Sequence, residues 1–509
     1  MGAGMNLTLS QIAAAVGGRL IGPDAPVTGP VVTDSRQAAE GSLFVAVHGE
    51  RTDGHAHLGS ALSLGAVGAI VSDPGAARAG LGIDRGGAVG SAAAQHGTGA
   101  ASTTEDTTGG TAEELPLGLV LVEDTVTALG ALARTHLVGL RRAAADRGER
   151  LTVVAMTGSV GKTTTKDLTR QLLAASGPTV APRASFNNEI GLPLTVLEAD
   201  ERTRYLVLEM GASGPGHIAY LTDIAPLDAA GVLMIGHAHM GGFGSIEGVA
   251  AAKAEIVAGL LPGGTAILNA DDARAAAMAD LAPGQVLTFS AQGNPADLRA
   301  ENIALDEAAR AGFDLHLPGL DGPRRVRLCV AGAHNVANAL AAAGLALAAG
   351  LDPEIIAERL GTASIESPHR MDVSELSGDL LLIDDSYNAN IDSMTAALAA
   401  LPALAGSRRR VVVVSEMLEL GESSAADHAR TGELTARAGA AMLIGIGSTQ
   451  EALEAARARG VEVVGFDDAA TAISQIDALL ADGDAVLVKG SNGSGAWRLA
   501  DHLKEVRPR

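Results

Sequence analysis

The sequence predicts an α/β protein of three domains: a small N-terminal α/β domain, a central parallel-sheet domain, and a C-terminal α/β domain. Three observations carry this. Apolar, strand-like runs alternate with helical stretches in two separate blocks, one from residue 151 and one from near Asp379. A shorter α/β unit precedes both. A glycine-rich turn, Thr157-Gly158-Ser159-Val160-Gly161-Lys162-Thr163-Thr164-Thr165, opens the first block between a strand and a helix. Alternation of this kind predicts parallel sheets covered on both faces. A length of 509 residues with 47% hydrophobic content supports two to four domains with several cores.

In the N-terminal unit, Gly41–Val47, Gly65–Val71 and Leu119–Val122 read as strands, and Thr125–Leu140 as a helix leading onward. The segment from about 85 to 116 is rich in Gly, Ala, Ser and Thr without apolar period, and reads as a disordered insertion. The central block has strands at Leu151–Met156, Tyr205–Glu209, Gly231–Ile235, Ala266–Asn269 and Val286–Phe289. Phe313–Leu317 and Arg325–Cys329 flank a Pro/Gly turn, which predicts a hairpin. The last block has strands at Leu380–Asp384, Val411–Val414, Met442–Gly445, Val461–Val464 and Ala485–Val488. The expected domains are residues 1–123, 124–363 and 364–509.

A net charge of −22 argues against a nucleic-acid partner, which would need a basic stripe. No run is long and apolar enough to insert in a membrane, and the N-terminus lacks a secretory pattern, so a cytoplasmic protein is expected. Cys329 is the one cysteine. It fits a reducing compartment, and its apolar neighbours predict an inert core thiol.

Residues 157–165 carry the strongest chemical signal. Strand, glycine turn, Gly-Lys-Thr and helix form the context of a phosphate loop, although Met156 stands where the general pattern has glycine. Glycines let backbone N–H groups turn inward on an anion, and the helix N-terminus adds partial positive charge. Lys162 can reach outer phosphates and the Thr163 hydroxyl can hold Mg²⁺. Alone, this says that a nucleoside triphosphate binds.

Other residues are ambiguous by themselves. Glu209 ends an apolar strand and can either face a metal or be solvated at the strand exit. His237 and His239 lie in a glycine-rich loop before Ser245, an N-cap candidate; they can bind a cation or phosphate, though loop histidines are more often polar surface. Lys253 interrupts an apolar helical run, where pairing with Glu255 or snorkelling is the simpler reading. A desolvated lysine can also take up CO₂ as a carbamate. Asn187–Leu194 reads as an N-cap turn whose donors could also grip a polar substrate. Gly490–Gly495 follows a strand, but its spacing does not suit a dinucleotide site.

Taken together, the turn at 157–164, the Asn187–Pro193 element, Glu209-Met210-Gly211-Ala212, His239, Gly242-Phe243-Gly244-Ser245, Lys253, Leu268–Asp272, Gly332–Asn338, Arg370 and Asp384–Asn390 occur in the order seen in the Mur ligases, which the chain resembles. Asp34-Ser35-Arg36, Gly41-Ser42-Leu43-Phe44 and Asp53-Gly54-His55 resemble the family's first domain. The resemblance implies a P-loop ATPase centre and a Rossmann-like third domain. It implies ATP-dependent amide formation in peptidoglycan synthesis, with D-alanyl-D-alanine added to a UDP-linked muramoyl tripeptide through an acyl phosphate by a monomer. Asn187–Gly191, Tyr387–Asn390 and Met417–Gly421 favour this reaction over that of a sibling Mur ligase. A folylpolyglutamate-type ligase is the further alternative, which the Asp34–His55 stretch opposes.

By the same resemblance, Lys162, Lys253, His239 and Glu209 form the catalytic set. Gly158, Ser159, Val160, Gly161, Lys162, Thr163 and Thr164 hold the β and γ phosphates. Thr163 and Glu209 bind one Mg²⁺; His239 and Lys253, as a carbamylated lysine, bind a second. Asn269, His334 and Asn335 lie near the nucleoside, and Arg370 and Asp385 complete the ATP site on domain closure. Ser35, Arg36, Asp53 and His55 take the uridine nucleotide, and Asn187, Asn188, Asn388 and Asn390 serve the rest of the substrate.

Overall fold

The computed structural model describes residues 5, 7–49, 52–83, 115–236 and 243–508. The expected insertion at about 85–116 lies almost wholly outside the described residues, as do His237 and His239. The chain forms two compact units, one of Met1–Ala143 with Val196–Glu201, the other of Ala144–Thr195 with Arg202–Arg509.

The first unit is built on a five-stranded sheet in the order Arg19–Ile21, Gly118–Leu121, Gly68–Val71, Leu43–Val45, Val31–Val32. Only the first pairing is antiparallel. Leu43–Val45 and Gly68–Val71 are buried throughout, which explains their unbroken apolar character.

The second unit holds two sheets. The larger has nine strands in the order Arg324–Ala331, Arg310–His316, Leu298–Leu305, Val286–Ser290, Leu260–Asn269, Leu227–Val232, Thr152–Thr157, Tyr205–Glu209, Thr179–Val180. Pairings are parallel from Leu298–Leu305 to Thr179–Val180, and the two outer pairings are antiparallel. The sheet is therefore parallel through its centre, as expected, and the expected hairpin forms where Arg310–His316 pairs antiparallel with Arg324–Ala331. Two members were not expected: Thr179–Val180, which has only two residues, and Leu298–Leu305, where Arg299, Glu301 and Asn302 interrupt the apolar residues. The strand expected at Gly231–Ile235 instead runs over Leu227–Val232. Its continuation leaves the ladder because Leu233 O accepts from Asn269 Nδ2 (2.7 Å) and Met234 O from Ser159 N (2.9 Å).

Cys329 is exposed, contrary to the expected core thiol. Arg324–Ala331 is an edge strand with alternating burial, and Cys329 falls on its outward face beside buried Leu328 and Val330. Its thiol donates to Gly361 O at 3.1 Å.

The smaller sheet has six strands in the order Asp372–Leu376, Leu380–Asp385, Ala485–Lys489, Arg410–Ser415, Met442–Ile446, Glu462–Phe466, parallel except for the first pair. Among the described residues, no helix is long and apolar enough to cross a membrane.

Candidate active site

The Thr152–Thr157 strand is buried at every position, so the chain leaves the sheet interior at Gly158. Gly161 has φ 86° and precedes the Lys162–Ala174 helix; a Cβ there would sit 2.3 Å from Asn338 Oδ1. Only glycine fits both the left-handed backbone and that approach. Ser159 is buried, its hydroxyl donating to Gly236 O (3.1 Å) and accepting from Gly236 N (2.8 Å). Val160 and Thr164 are half-buried on the turn and the first helical turn. The Lys162 ammonium folds back to donate to Gly158 O at 2.7 Å. Burial depresses its pKa, opposed by Glu209 and reinforced by Arg370.

Glu209 ends its strand fully buried, so solvation at a strand exit does not describe it. Thr163 Oγ1 donates to Glu209 Oε2 at 3.3 Å, while Oε1 has no hydrogen-bond partner. Burial raises the carboxyl pKa against the pull of Lys166, Lys162 and Arg370. A buried carboxylate oxygen without a partner, beside a hydroxyl on a phosphate turn, is a donor set that fits a hard divalent cation.

Lys253 lies on the Ile246–Ala258 helix, which Ser245 caps through Gly248 N at 3.1 Å. It is 2% exposed, and burial, with the Lys162 charge, depresses its pKa to about 7. The expected partner does not pair with it: Glu255 accepts from Gly216 N (2.6 Å) and Ala219 N (2.9 Å). Residues i and i+2 face different sides of a helix, and the buried position rules out snorkelling. His239 lies outside the described residues.

Residues beyond 364 reach this turn. Arg370 Nη2 donates to Thr163 Oγ1 (3.1 Å) and Ser185 Oγ (3.0 Å), and the two hydroxyls are 2.8 Å apart. The guanidinium lies over the Tyr387 ring, 4.2 Å from its centroid. Asn390 caps the Ile391–Ala405 helix in a capping box with Ser393, and its Nδ2 donates to Ser159 O at 3.3 Å.

Asp385 accepts from Lys489 Nζ (2.6 Å) and Met371 N (3.2 Å). Asn388 caps its own turn through Ala389 N (2.9 Å) and offers its carbonyl to Lys489 (3.0 Å). Asn269 uses both ends of its amide internally, on Leu233 O and Asp271 N. So does Asn335, on Ala331 O (2.6 Å) and Asn338 Nδ2 (2.8 Å). His334 is exposed at the start of the Asn335–Ala348 helix. Asn187 O accepts from Gly211 N at 2.8 Å. Asn188 Oδ1 accepts from Gly191 N (2.9 Å) at the start of the Gly191–Leu197 helix, the capping role read from the sequence.

In the first unit, Asp34 caps Ser35–Gln37 and grips exposed Arg36 with both carboxylate oxygens; Ser35 is buried. His55 is also buried. Its Nδ1 pairs with Asp53 at 2.6 Å, and its Nε2 accepts from Ser72 N (3.1 Å) and Asp73 N (3.3 Å). Both ring nitrogens are thus used inside the protein.

Sequence reasoning named Asn338 and Tyr387 only inside motifs, with no role, and missed Ser185 and the adjacent pair Lys166–Asp167. The pair had a signal, since two opposite charges sit on a helix flanked by sheet. Ser185 had none, because its partners are 22 and 185 residues away.

Two family models match, the Mur ligase middle domain over residues 156–346 and the Mur ligase, glutamate ligase domain over 369–492. The chain is 40% identical over 528 residues to the UDP-N-acetylmuramoyl-tripeptide--D-alanyl-D-alanine ligase of Mycobacterium tuberculosis (strain ATCC 25618 / H37Rv), covering 98% of each chain. It is 34% identical to the enzyme of that name from Escherichia coli (strain K12), covering 98% of this chain and 99% of the other. Among solved structures it is similar to MurF from Acinetobacter baumannii, with a TM-score of 0.78, 31% identity and 98% of each chain covered. It is also similar to MurF ligase from Thermotoga maritima in complex with ADP, with a TM-score of 0.68, 26% identity, and 94% of this chain and 98% of that one covered. With a buried acid, a phosphate turn and full-length likeness all in place, the chain belongs to the Mur ligase family.

Proposed function

We infer that this chain is an ATP-dependent ligase that joins D-alanyl-D-alanine to a UDP-N-acetylmuramoyl-tripeptide in peptidoglycan precursor synthesis. The carrying observation is identity to relatives of that name over 98% of both chains. The Gly158–Thr164 turn, with Lys162, Glu209 and Arg370 around it, supplies the matching chemistry.

A carboxylate is a poor acylating agent. An oxygen of the tripeptide's terminal carboxylate attacks the γ-phosphorus, ADP leaves, and an acyl phosphate forms. The dipeptide amine then attacks the acyl carbon, a proton leaves the nitrogen, and phosphate departs. Turn N–H groups and Lys162 hold the β and γ phosphates. Arg370, entering from the 364–370 segment, adds a planar cation against the transferring group. Thr163 and Glu209 would hold Mg²⁺, and Lys253, as a carbamate, would hold a second ion with His239. Bound there, Mg²⁺ supplies screening between anions that must meet. Support for the carbamate is a buried amine with a depressed pKa and no carboxylate partner among the described residues.

We assign Asn269, His334 and Asn335 to the nucleoside side, and Asp385, with Arg370, to completing the ATP site from beyond residue 364. Ser35, Arg36, Asp53 and His55 go to the uridine nucleotide, and Asn187, Asn188, Asn388 and Asn390 to the peptide. The working division into domains is 1–123, 124–363 and 364–509. Substrates that are water-soluble nucleotides and peptides favour the cytoplasm. The test is ATP-dependent phosphate release across a panel of UDP-peptides and amines. Release should require the tripeptide and D-alanyl-D-alanine together; release with a single amino acid instead would overturn the assignment.

A further inference from the structure

Lys166 and Asp167 are neighbours on the phosphate-turn helix, with side chains 2% and 1% exposed and charged atoms 2.5 Å apart. Lys166 Nζ donates to Pro182 O and Ser367 Oγ, both at 2.9 Å. Asp167 Oδ2 accepts from Glu366 N (3.1 Å) and Ser367 N (2.9 Å), and Oδ1 from Ser367 Oγ (3.2 Å). The ammonium thus makes two hydrogen bonds besides its ion pair with Asp167. One turn further along, Gln171 exchanges two bonds with Ser364, and Arg170 pairs with Glu366.

The two charges thus grip two separate segments. Three residues beyond Ser367 comes Arg370, through Pro368, whose ring locks φ, and His369, at φ 59° with its ring on Asp384 at 2.8 Å. Three residues beyond Pro182 comes Ser185. Both arms meet on Thr163. A buried ion pair is seldom the most stabilising filling for a core, and apolar residues often do as well. What this pair adds is register: backbone N–H groups at 366 and 367 fit one carboxylate in one way.

We propose that Lys166–Asp167 is a positioning pair for Arg370, acting on the reaction through the linker it fixes. The inference rests on the reading of Arg370 as a group that meets the phosphates.

The test is a double-mutant cycle on the full chain, with turnover, KM for ATP and thermal melting measured for Asp167→Asn, Arg370→Ala and the two combined. Asp167→Asn should lower kcat on the order of 10²-fold, as a misplaced catalytic group does, with KM for ATP little changed. The combined variant should fall no further than Arg370→Ala alone. Losses that multiply, or an unchanged kcat in a folded Asp167→Asn protein, overturn the proposal. Should Asp167→Asn not fold, Ser367→Ala leaves the ion pair in place and carries the same cycle. Its expected loss is about fivefold, the worth of one hydrogen bond, and the same two outcomes decide. Full turnover in Arg370→Ala alone would instead sink the assignment of Arg370 itself, and with it this inference.

Discussion

Residues 157–165 and 489–497 both lead from a buried parallel strand into a helix, and each helix is preceded by a glycine at positive φ, Gly161 at 86° and Gly495 at 76°. At the first turn the helix opens with Lys162 and Thr163, beside a buried carboxylate with an unpartnered oxygen. At the second it opens with Ala496 and Trp497. There the strand-end lysine, Lys489, is taken up by Asp385 and Asn388, and the hydroxyls of Ser415, Ser491 and Ser494 bond within the turn or to Leu418 N. Both helices start after a left-handed glycine, although the second turn adds a 3-10 segment at Asn492–Ser494, yet only the first retains unmatched charge. Inward N–H groups make a turn hospitable to an anion, but charge still looking for a partner makes it a site.

The sharpest way to break this contrast is Lys162→Ala. Phosphate release in the presence of both substrates should fall by about 10²–10³-fold, the range for losing a charge-stabilising donor. Retained release would reduce the two turns to equals. Lys253→Ala comes next, with a loss of roughly 10–10²-fold, by analogy with the cost of disturbing a metal's surroundings. Short carboxylic acids added to the assay should restore part of it; no restoration at any concentration would count against the carbamate.

Stability sharpens the contrast with opposite signs. Asp385→Ala strands the buried Lys489 ammonium and should cost about 3 kcal/mol in chemical denaturation. Glu209→Gln removes a buried charge whose Oε1 has no partner, so metal-free protein should melt at or above the parent temperature while turnover is lost. A lower melting temperature would show that Glu209 is satisfied in ways its hydrogen bonds do not reveal. The smallest effects belong to the glycines. Gly495→Ala meets nothing closer than Ala469 Cβ at 3.5 Å, so only left-handed strain of about 1 kcal/mol is expected. Gly161→Ala adds a collision with Asn338 and should also weaken ATP-dependent thermal protection, which Gly495→Ala should leave intact.

The strand–turn–helix at 152–174 was legible because the residues that define it are contiguous. The meeting of Arg370 with Thr163 was legible only through the family resemblance, since 207 residues separate them and local pattern cannot close that distance. Sequence proximity misled at Glu255, where helical geometry points the carboxylate away from Lys253, and at Cys329, where apolar neighbours in a strand occupy the opposite face. In Leu298–Leu305, Arg299, Glu301 and Asn302 break up the apolar residues, and Ile303 and Leu305 are exposed, so the strand left neither an apolar run nor a clean alternation to read.

Cys329 is the only thiol in the chain, it is exposed, and it rests against Gly361, just ahead of the segment that Lys166 and Asp167 hold. A maleimide dye would therefore label the unaltered enzyme at a single address with one-to-one stoichiometry. Its emission would then follow that segment during turnover without any engineered cysteine background.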